Sequence, residues 1–511
     1  MSDNLFEIFR SRFPEDSSQP FIETNDGKVH TYADLDRITA QYHNYMRSLG
    51  IKREDRIAVQ VKKSPEAVFL YLACLRAGVT FVPLNTAYTM EEIRFLLSDA
   101  EPTMVVCDPA KEKNINRITQ RLDCYSVKTL DALGNGTLSE ESRGLSTDAK
   151  STDVHGDDVA AILYSSGTTG RPKGVMLSHR NLARNAEALH TAWQFGPDDV
   201  LLHALPIFHT HGLFVAINTV LMNGTGMLFH AAFDTKDVIT DFARATIFMG
   251  VPTYYTRILS AQKLTAATCK SMRLFISGSA PLLEQAFNAF SERTGHSILE
   301  RYGMTEAGII TSEDPQKKSR PGTVGWPLPN VDLRITDKSG KVVSPGNVGA
   351  IEIKSPGLFS GYWRMPEKTS SEFSLDGYFR TGDLGKTESD GLLTIVGRKT
   401  DMFIAGGYNV YPKEIEVCIN ALEGIIESAV LGMPHPDLGE AGLAVIVVPL
   451  DGRNQTIKTI RRLLKDKLAD YKVPKLLVVT DALPRNTMGK VQKNELRKTY
   501  RSRWTEYLET V

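Results

Sequence analysis

One run, Tyr164-Ser165-Ser166-Gly167-Thr168-Thr169-Gly170-Arg171-Pro172-Lys173-Gly174, limits what this chain can become more than any other part of it. The residues before it, Val159-Ala160-Ala161-Ile162-Leu163, are apolar and of the right number for a buried strand. After it, Leu182, Ala186, Leu189 and Trp193 recur at the spacing of one helix face. Strand, Gly/Ser/Thr loop and helix in that order predict an α/β fold with a phosphate-holding turn. Glycines let the backbone curl until successive N–H groups point inward, while hydroxyls and a lysine add donors. The kinase-type loop needs its lysine directly after a glycine and a hydroxyl next to it. Here Arg171 and Pro172 separate Gly170 from Lys173, and Gly174 follows instead of a hydroxyl. The run predicts a clamp on a polyphosphate tail, built from Ser165, Ser166, Gly167, Thr168, Thr169, Gly170 and Lys173.

The rest of the chain extends the α/β reading. Arg56–Val61 and Thr103–Cys107 read as strands, and Pro65–Ala77 reads as a helix between them. Such alternation predicts a doubly wound, largely parallel sheet. The polar stretch from Gly134 to Gly156 lacks periodicity and is expected to be an exposed connection. Between 330 and 398, Lys338-Ser339-Gly340 and Pro345-Gly346 separate short strands of a β-rich subdomain. A boundary is expected at Gly397-Arg398-Lys399-Thr400-Asp401, giving a large domain over 1–398 and a small α+β domain over 399–511. At 511 residues the chain exceeds one hydrophobic core.

Composition narrows the partners. Lys+Arg and Asp+Glu are both 60, which removes the bulk electrostatic argument for nucleic acid or an anionic membrane. The five cysteines have no metal-like spacing and read as reduced thiols of a cytoplasmic protein. The most apolar stretch, Leu213 to Phe229, is broken by Asn218, Asn223, Gly224 and Gly226, so a buried core segment is expected rather than a membrane span. Oligomeric state is not legible.

Further segments follow in order: Ile276-Ser277-Gly278-Ser279-Ala280-Pro281-Leu282, Glu300-Arg301-Tyr302-Gly303-Met304-Thr305-Glu306, Tyr378-Phe379-Arg380-Thr381-Gly382-Asp383, Gly406-Gly407-Tyr408 and Pro484-Arg485-Asn486-Thr487-Met488-Gly489-Lys490. Taken singly, each has an ordinary structural reading. Glu306 could be an ion-pair partner, Asp383 an Asx turn, and Lys490 a solvated lysine. His209 and His211 suggest a metal pair, but no third ligand of fitting spacing is nearby.

Together, the motifs resemble the AMP-forming adenylating superfamily of acyl-CoA synthetases, carrier-loading adenylation domains and luciferases. The likeness runs nearly the length of the chain. It implies ATP, Mg²⁺ and coenzyme A as reactants with a small carboxylic acid. By the same likeness Glu306 holds Mg²⁺, Thr305 contacts the α-phosphate, and Lys490 bridges the incoming carboxylate and that phosphate. Asp383 and Arg398 take the ribose. Ser279, Ala280, Pro281, Glu300, Arg301, Tyr302 and Gly303 line the nucleotide. Gly406 and Gly407 leave room for pantetheine beside a rotating C-terminal domain. Thr400 departs from the Asp or Lys that the family often carries two residues after this arginine.

The acid is signalled by Arg257, which ends a mostly apolar and aromatic segment beginning at Ile247. A guanidinium there requires an anion, either an internal carboxylate or a second carboxylate on the substrate. The whole pattern resembles malonyl-CoA synthetases most. That likeness implies that Arg257, His209 and Ser277 bind a distal carboxylate and that Met304 limits the C2 substituent. Ala307 stands where such enzymes often place threonine, which keeps methylmalonate and other short dicarboxylates open.

Overall fold

The computed structural model describes residues 2–510 except 123, 125, 167–171, 450–452 and 488. Its strands form four sheets. The largest has nine strands, and its middle is parallel: Ile298–Met304, Leu274–Ser277, Ile247–Gly250, Val200–His203, Gly226–Phe229 and Pro20–Thr24 lie side by side. The second has seven strands, of which Val159–Ser166, Thr80–Pro83, Arg56–Gln60, Met104–Cys107 and Ser126–Thr129 run parallel, the last at the sheet edge. A four-stranded antiparallel sheet spans Asp332–Thr336 to Leu393–Arg398, where a β-rich subdomain was expected. The fourth sheet holds Phe403–Ala405, Tyr408–Val410, Glu427–His435, Gly439–Val447 and Leu476–Thr480.

The helix Pro65–Ala77 shows why the two large sheets stay together. Its sequence is apolar around its full circumference, and every one of its residues is buried. Ser64 caps its start, proline opens it, and Gly78 ends it in the left-handed region, so its ends are set locally. A helix apolar on all sides requires cover on all sides. Its two charges sit at its ends: Glu66 faces Lys28 at 3.5 Å, and Arg76 pairs with Asp36 at 2.8 Å and donates to the Ala149 carbonyl. The stretch Leu213–Phe229, expected as a buried core segment, runs through a π-helix, His211–Ile217, the helix Asn218–Asn223 and the strand Gly226–Phe229, and is buried except for partial exposure at Asn223, Gly224 and Gly226. Among the described residues no helix is long and apolar enough to cross a membrane.

Two expectations change. The polar stretch 134–156 contains the helix Thr137–Ser142, and Leu138, Ala149 and Val154 are buried, so it is a packed strap. The phosphate-type run does not pass from strand to helix. Val159–Ser166 turns back into a second strand, Pro172–Ser178, paired antiparallel with Ser165 opposite Lys173. The helix His179–Ala192 starts only then, and its free N–H groups are met by a Ser178–Asn181 capping box. The run is therefore a β-hairpin, and Ser178 occupies the helix end that a kinase-type loop would leave to phosphate. Residues 167–171 lie outside the described part.

Candidate active site

The carboxyl ends of four neighbouring parallel strands deliver most of the site. His209 and His211 follow Val200–His203, the helix Pro252–Ser260 follows Ile247–Gly250, Ser279–Pro281 follow Leu274–Ser277, and Thr305–Glu306 follow Ile298–Met304. This is where open α/β sheets place ligands.

On one side the charges are paired. Asp383 is buried, accepts the Tyr302 hydroxyl at 2.6 Å and meets Arg398 Nε at 3.1 Å. The pairing follows from register, because Asp383 lies opposite Arg398 across two antiparallel strands. An Asx turn is thus replaced by a fixed carboxylate with an arginine beside it. Glu306 is also buried, and burial pushes its carboxyl up from the usual range, opposed by the Tyr362 hydroxyl, Lys173 and Arg398. Tyr362 donates to Glu306 Oε1 at 3.0 Å, and the Lys173 ammonium lies 4.9 Å from the Tyr362 ring centre. No ion pair engages Glu306 among the described residues. A buried carboxylate with this donor set fits Mg²⁺, which takes one or two carboxylates and leaves its remaining positions to phosphate and water.

The hairpin stem is anchored from outside. Tyr164 donates to Asp99 Oδ2 at 2.6 Å. Trp363 Nε1 donates to the Asp99 carbonyl at 2.9 Å, while its backbone N–H donates to the Gly174 carbonyl at 2.7 Å. The strand Gly361–Tyr362 pairs with Val175 and Met176, so one distant segment braces both Glu306 and the hairpin. Neither tie was visible in the sequence.

The small domain is turned with Lys490 toward this side. Gly489 has φ +74°, and a Cβ there would lie 3.3 Å from Thr253 Oγ1 of the large domain. Asn85 Nδ2 reaches Thr487 Oγ1 at 3.4 Å, and Gln285 Nε2 donates to the Asn420 carbonyl at 2.6 Å. Lys490 as a residue keeps exposed surface, while its ammonium is turned inward. Burial holds that ammonium below the usual lysine range, with Arg398 adding to the effect and Asp383 and Asp401 opposing it. Lys490, Asp383 and Arg398 are thus brought together. Gly406 and Gly407 are not; they form the turn between Phe403–Ala405 and Tyr408–Val410 with φ of +57° and +86°. That turn requires glycine on its own account. Thr400 is exposed beside the interdomain turn.

On the other side the charges are unpaired. Arg301 was read with the nucleotide because it sits inside the Glu300–Glu306 motif. Its side chain instead packs on Gly278, where a Cβ would lie 2.3 Å from its Cζ, so only glycine admits it. Arg301 is buried, its Nε and Nη2 have no partner, and burial lowers it to about 9. Burial, reinforced by Arg301, pushes His209 down to about 4, and His211 is held well below its usual range by the same causes. The Ser277 hydroxyl is buried without a partner. Ser279 stands at φ +71°, a strained conformation for a non-glycine residue, with Oγ 3.3 Å from His211 Nδ1. His211 opens the π-helix His211–Ile217 and His209 lies in the bend before it, so they share no strand face. Met304 is half-buried at the strand end, and Ala307 is fully buried in the central core.

Two further residues differ from expectation. Arg257 is exposed, and among the described residues its side chain makes no hydrogen bond or ion pair. Glu300 is buried beside Glu313 and accepts the Leu282 N–H at 3.3 Å, bracing the loop that carries Ser279, Ala280 and Pro281.

Residues 9–363 match the family described as AMP-binding enzyme, and 414–490 match the AMP-binding enzyme C-terminal domain. A feruloyl-CoA synthase from Amycolatopsis sp is 34% identical over 93% of this chain and 94% of its own length. A malonate–CoA ligase from Arabidopsis thaliana is 32% identical over 98% of this chain and 89% of its own. The ATP-bound structure of MatB from Rhodopseudomonas palustris is 49% identical, covers 98% of this chain and 99% of its own, and superposes with a TM-score of 0.95. The apo structure of the same protein, with the same identity and coverage, gives 0.86.

Proposed function

The chain belongs to the AMP-binding enzyme family and is an AMP-forming acid–CoA ligase using ATP, Mg²⁺ and CoA; within that activity we propose that its acid is malonate or a close short dicarboxylate such as methylmalonate. The observation that carries this reading is the buried, unpartnered guanidinium of Arg301 beside His209, His211 and Ser277. A charge buried without a partner costs several kcal/mol. A second substrate carboxylate would pair with it bidentately and engage the free hydroxyl. A monocarboxylic fatty or aromatic acid would leave every one of these groups unsatisfied. In this reading Met304 bounds the space at C2, while Arg257 lies exposed in the last turn of the helix Pro252–Ser260.

The first half-reaction joins two anions. The substrate's near carboxylate oxygen bonds to the α-phosphorus of ATP as the bond to pyrophosphate breaks. Asp383 accepts the ribose hydroxyls and Arg398 steadies that carboxylate. Ser279 to Pro281, with Tyr302 and Gly303, flank the base, and Glu300 keeps that loop in place. Thr305 donates to the α-phosphate, while Ser165 to Gly170 and Lys173 hold the phosphate tail. Glu306 would hold Mg²⁺, which supplies charge neutralisation on the phosphates. Lys490 places its ammonium between carboxylate and phosphate, where charge concentrates in the transition state. The orientation seen here, with Lys490 beside Asp383 and Arg398, suits this half-reaction. For the second, the domain 399–511 turns about the Lys399-Thr400-Asp401 segment and presents the Gly406–Gly407 turn to the pantetheine path.

Pyrophosphate release with malonate, methylmalonate, hexanoate and a cinnamate tests the substrate reading. Malonate or methylmalonate is expected to be turned over well ahead of either monoacid. Equal or faster turnover of hexanoate or the cinnamate would sink it in favour of a monocarboxylate ligase.

A further inference from the structure

Arg301 is the first of a line of buried basic groups. It acts electrostatically on His209 and His211; His211 in turn feels His203, and His203 feels Lys63. Lys63 is buried, donates to the His203 carbonyl at 2.9 Å, lies 2.8 Å from His203 Nδ1 and sits 4.2 Å from the Phe229 ring centre. His203 Nε2 is 2.8 Å from the Gly212 carbonyl, which accepts only. That fixes the proton on Nε2 and leaves Nδ1 to accept from Lys63. His209 Nδ1 accepts the His211 backbone N–H at 3.3 Å.

Around these groups no carboxylate compensates. Among the described residues none of Arg301, His209, His211, His203 or Lys63 is hydrogen-bonded or ion-paired to an acid. His230, which also acts on His203, is the one member next to an acid, Asp241, at 2.8 Å. His211 holds its Nδ1 toward Ser279 Oγ, and its Nε2 is buried with no partner. A buried imidazole with one free nitrogen, beside an unneutralised guanidinium, is poised to change charge when an anion enters. The anion cancels the repulsion from Arg301 and adds an attraction of its own.

Resting on the dicarboxylate reading, we propose that the pocket binds its acid's distal carboxylate together with one proton, taken up on His211. His211 is then a specificity-determining residue. A monocarboxylate brings no charge to this end of the pocket, so it leaves His211 neutral and Arg301 unpaired. Linkage makes the effect reciprocal: affinity for the dicarboxylate falls as pH rises, because the proton it needs grows scarcer.

Titration calorimetry of malonate into the enzyme saturated with a non-hydrolysable ATP analogue, in phosphate and in Tris near neutral pH, reads the proton directly. Buffer-dependent heat corresponding to uptake of close to one proton per malonate is expected. In His211→Gln that uptake is expected to vanish and malonate affinity to fall at least about tenfold, the cost of roughly one charge-assisted hydrogen bond. Affinity for the ATP analogue is expected to be unchanged, which also reports that the variant is folded. In His209→Gln the uptake is expected to remain. Malonate binding with the same heat in both buffers overturns proton uptake alone and leaves the substrate reading standing. Uptake that survives in His211→Gln overturns the assignment to that residue. Absence of malonate binding in either buffer overturns the substrate reading and this inference with it.

Discussion

The two sides of the cleft are built on opposite electrostatic plans. Around the nucleotide residues each carboxylate already has its donor: Asp383 holds Tyr302 and Arg398, and Glu306 holds the Tyr362 hydroxyl. Around the proposed acyl residues the charges pair with nothing of opposite sign among the described residues, where Arg301 Nε and Nη2, Ser277 Oγ and His211 Nε2 are all buried without partners. The first arrangement holds its geometry whether or not a ligand is present. The second stores an unfavourable field that a ligand of opposite charge relieves. On the proposed reading, chemistry common to adenylation is placed where the fold is satisfied, and selectivity for the acid where it is not.

The largest break in that comparison is expected from Lys490→Ala. In the proposed mechanism the lysine serves the transition state from the small domain and touches neither plan's internal pairing. Adenylation should fall by on the order of 10²–10³ or more. Thioester formation from supplied acyl adenylate should persist. Equal loss of both half-reactions in single-turnover assays would contradict the division of work between the two domain orientations.

A smaller effect probes the satisfied side. Tyr164→Phe removes the hydroxyl that ties the phosphate hairpin to Asp99. KM for ATP should rise by up to about tenfold, with kcat and KM for the acid little changed. Asp99→Asn retains an acceptor and should stay near the parent. A drop in thermal stability without a change in KM for ATP would reduce this tie to a purely structural one.

The smallest is a pH effect on folding. Burial, with Glu313 beside it, pushes the Glu300 carboxyl from 4.5 up to about 8. The folded protein therefore keeps a proton that the unfolded chain gives up, and this contribution to stability is lost as pH rises from about 4.5 to about 8. Glu300→Gln should raise the melting temperature by a few degrees at the alkaline end and hardly at all at the acid end. His209 has the opposite sign. Pushed from 6.5 to about 4, it costs stability as pH falls through that window.

The same contrast explains what the sequence made legible. The proposed nucleotide side is written in contiguous motifs, so Asp383, Arg398, Glu306 and Lys490 could be proposed from their likeness to the family's motifs. The acyl side is assembled from the ends of separate strands, and Lys63 and His203 carry no local signal. Arg301 was misplaced for a specific reason. Neighbouring strand residues point to opposite faces, so Tyr302 turns to Asp383 while Arg301, one position earlier, turns to Gly278. Motif membership does not record that alternation. The phosphate run misled in a similar way, because Pro172–Ser178 pairs back on Val159–Ser166 before any helix begins. Composition showed the glycines and hydroxyls but not the pairing.

The central claim is that the acyl side keeps an uncompensated positive charge for the sake of a second carboxylate. Arg301→Met tests it most directly when apo thermal stability and kcat/KM for malonate are measured on the same preparation. The account predicts a higher melting temperature, since replacing a buried unpaired charge with a packed apolar side chain relieves about 1–4 kcal/mol. It also predicts a loss of malonate kcat/KM on the order of 10²–10³, with KM for ATP unchanged. A less stable variant that still turns over malonate at the parent rate would contradict it.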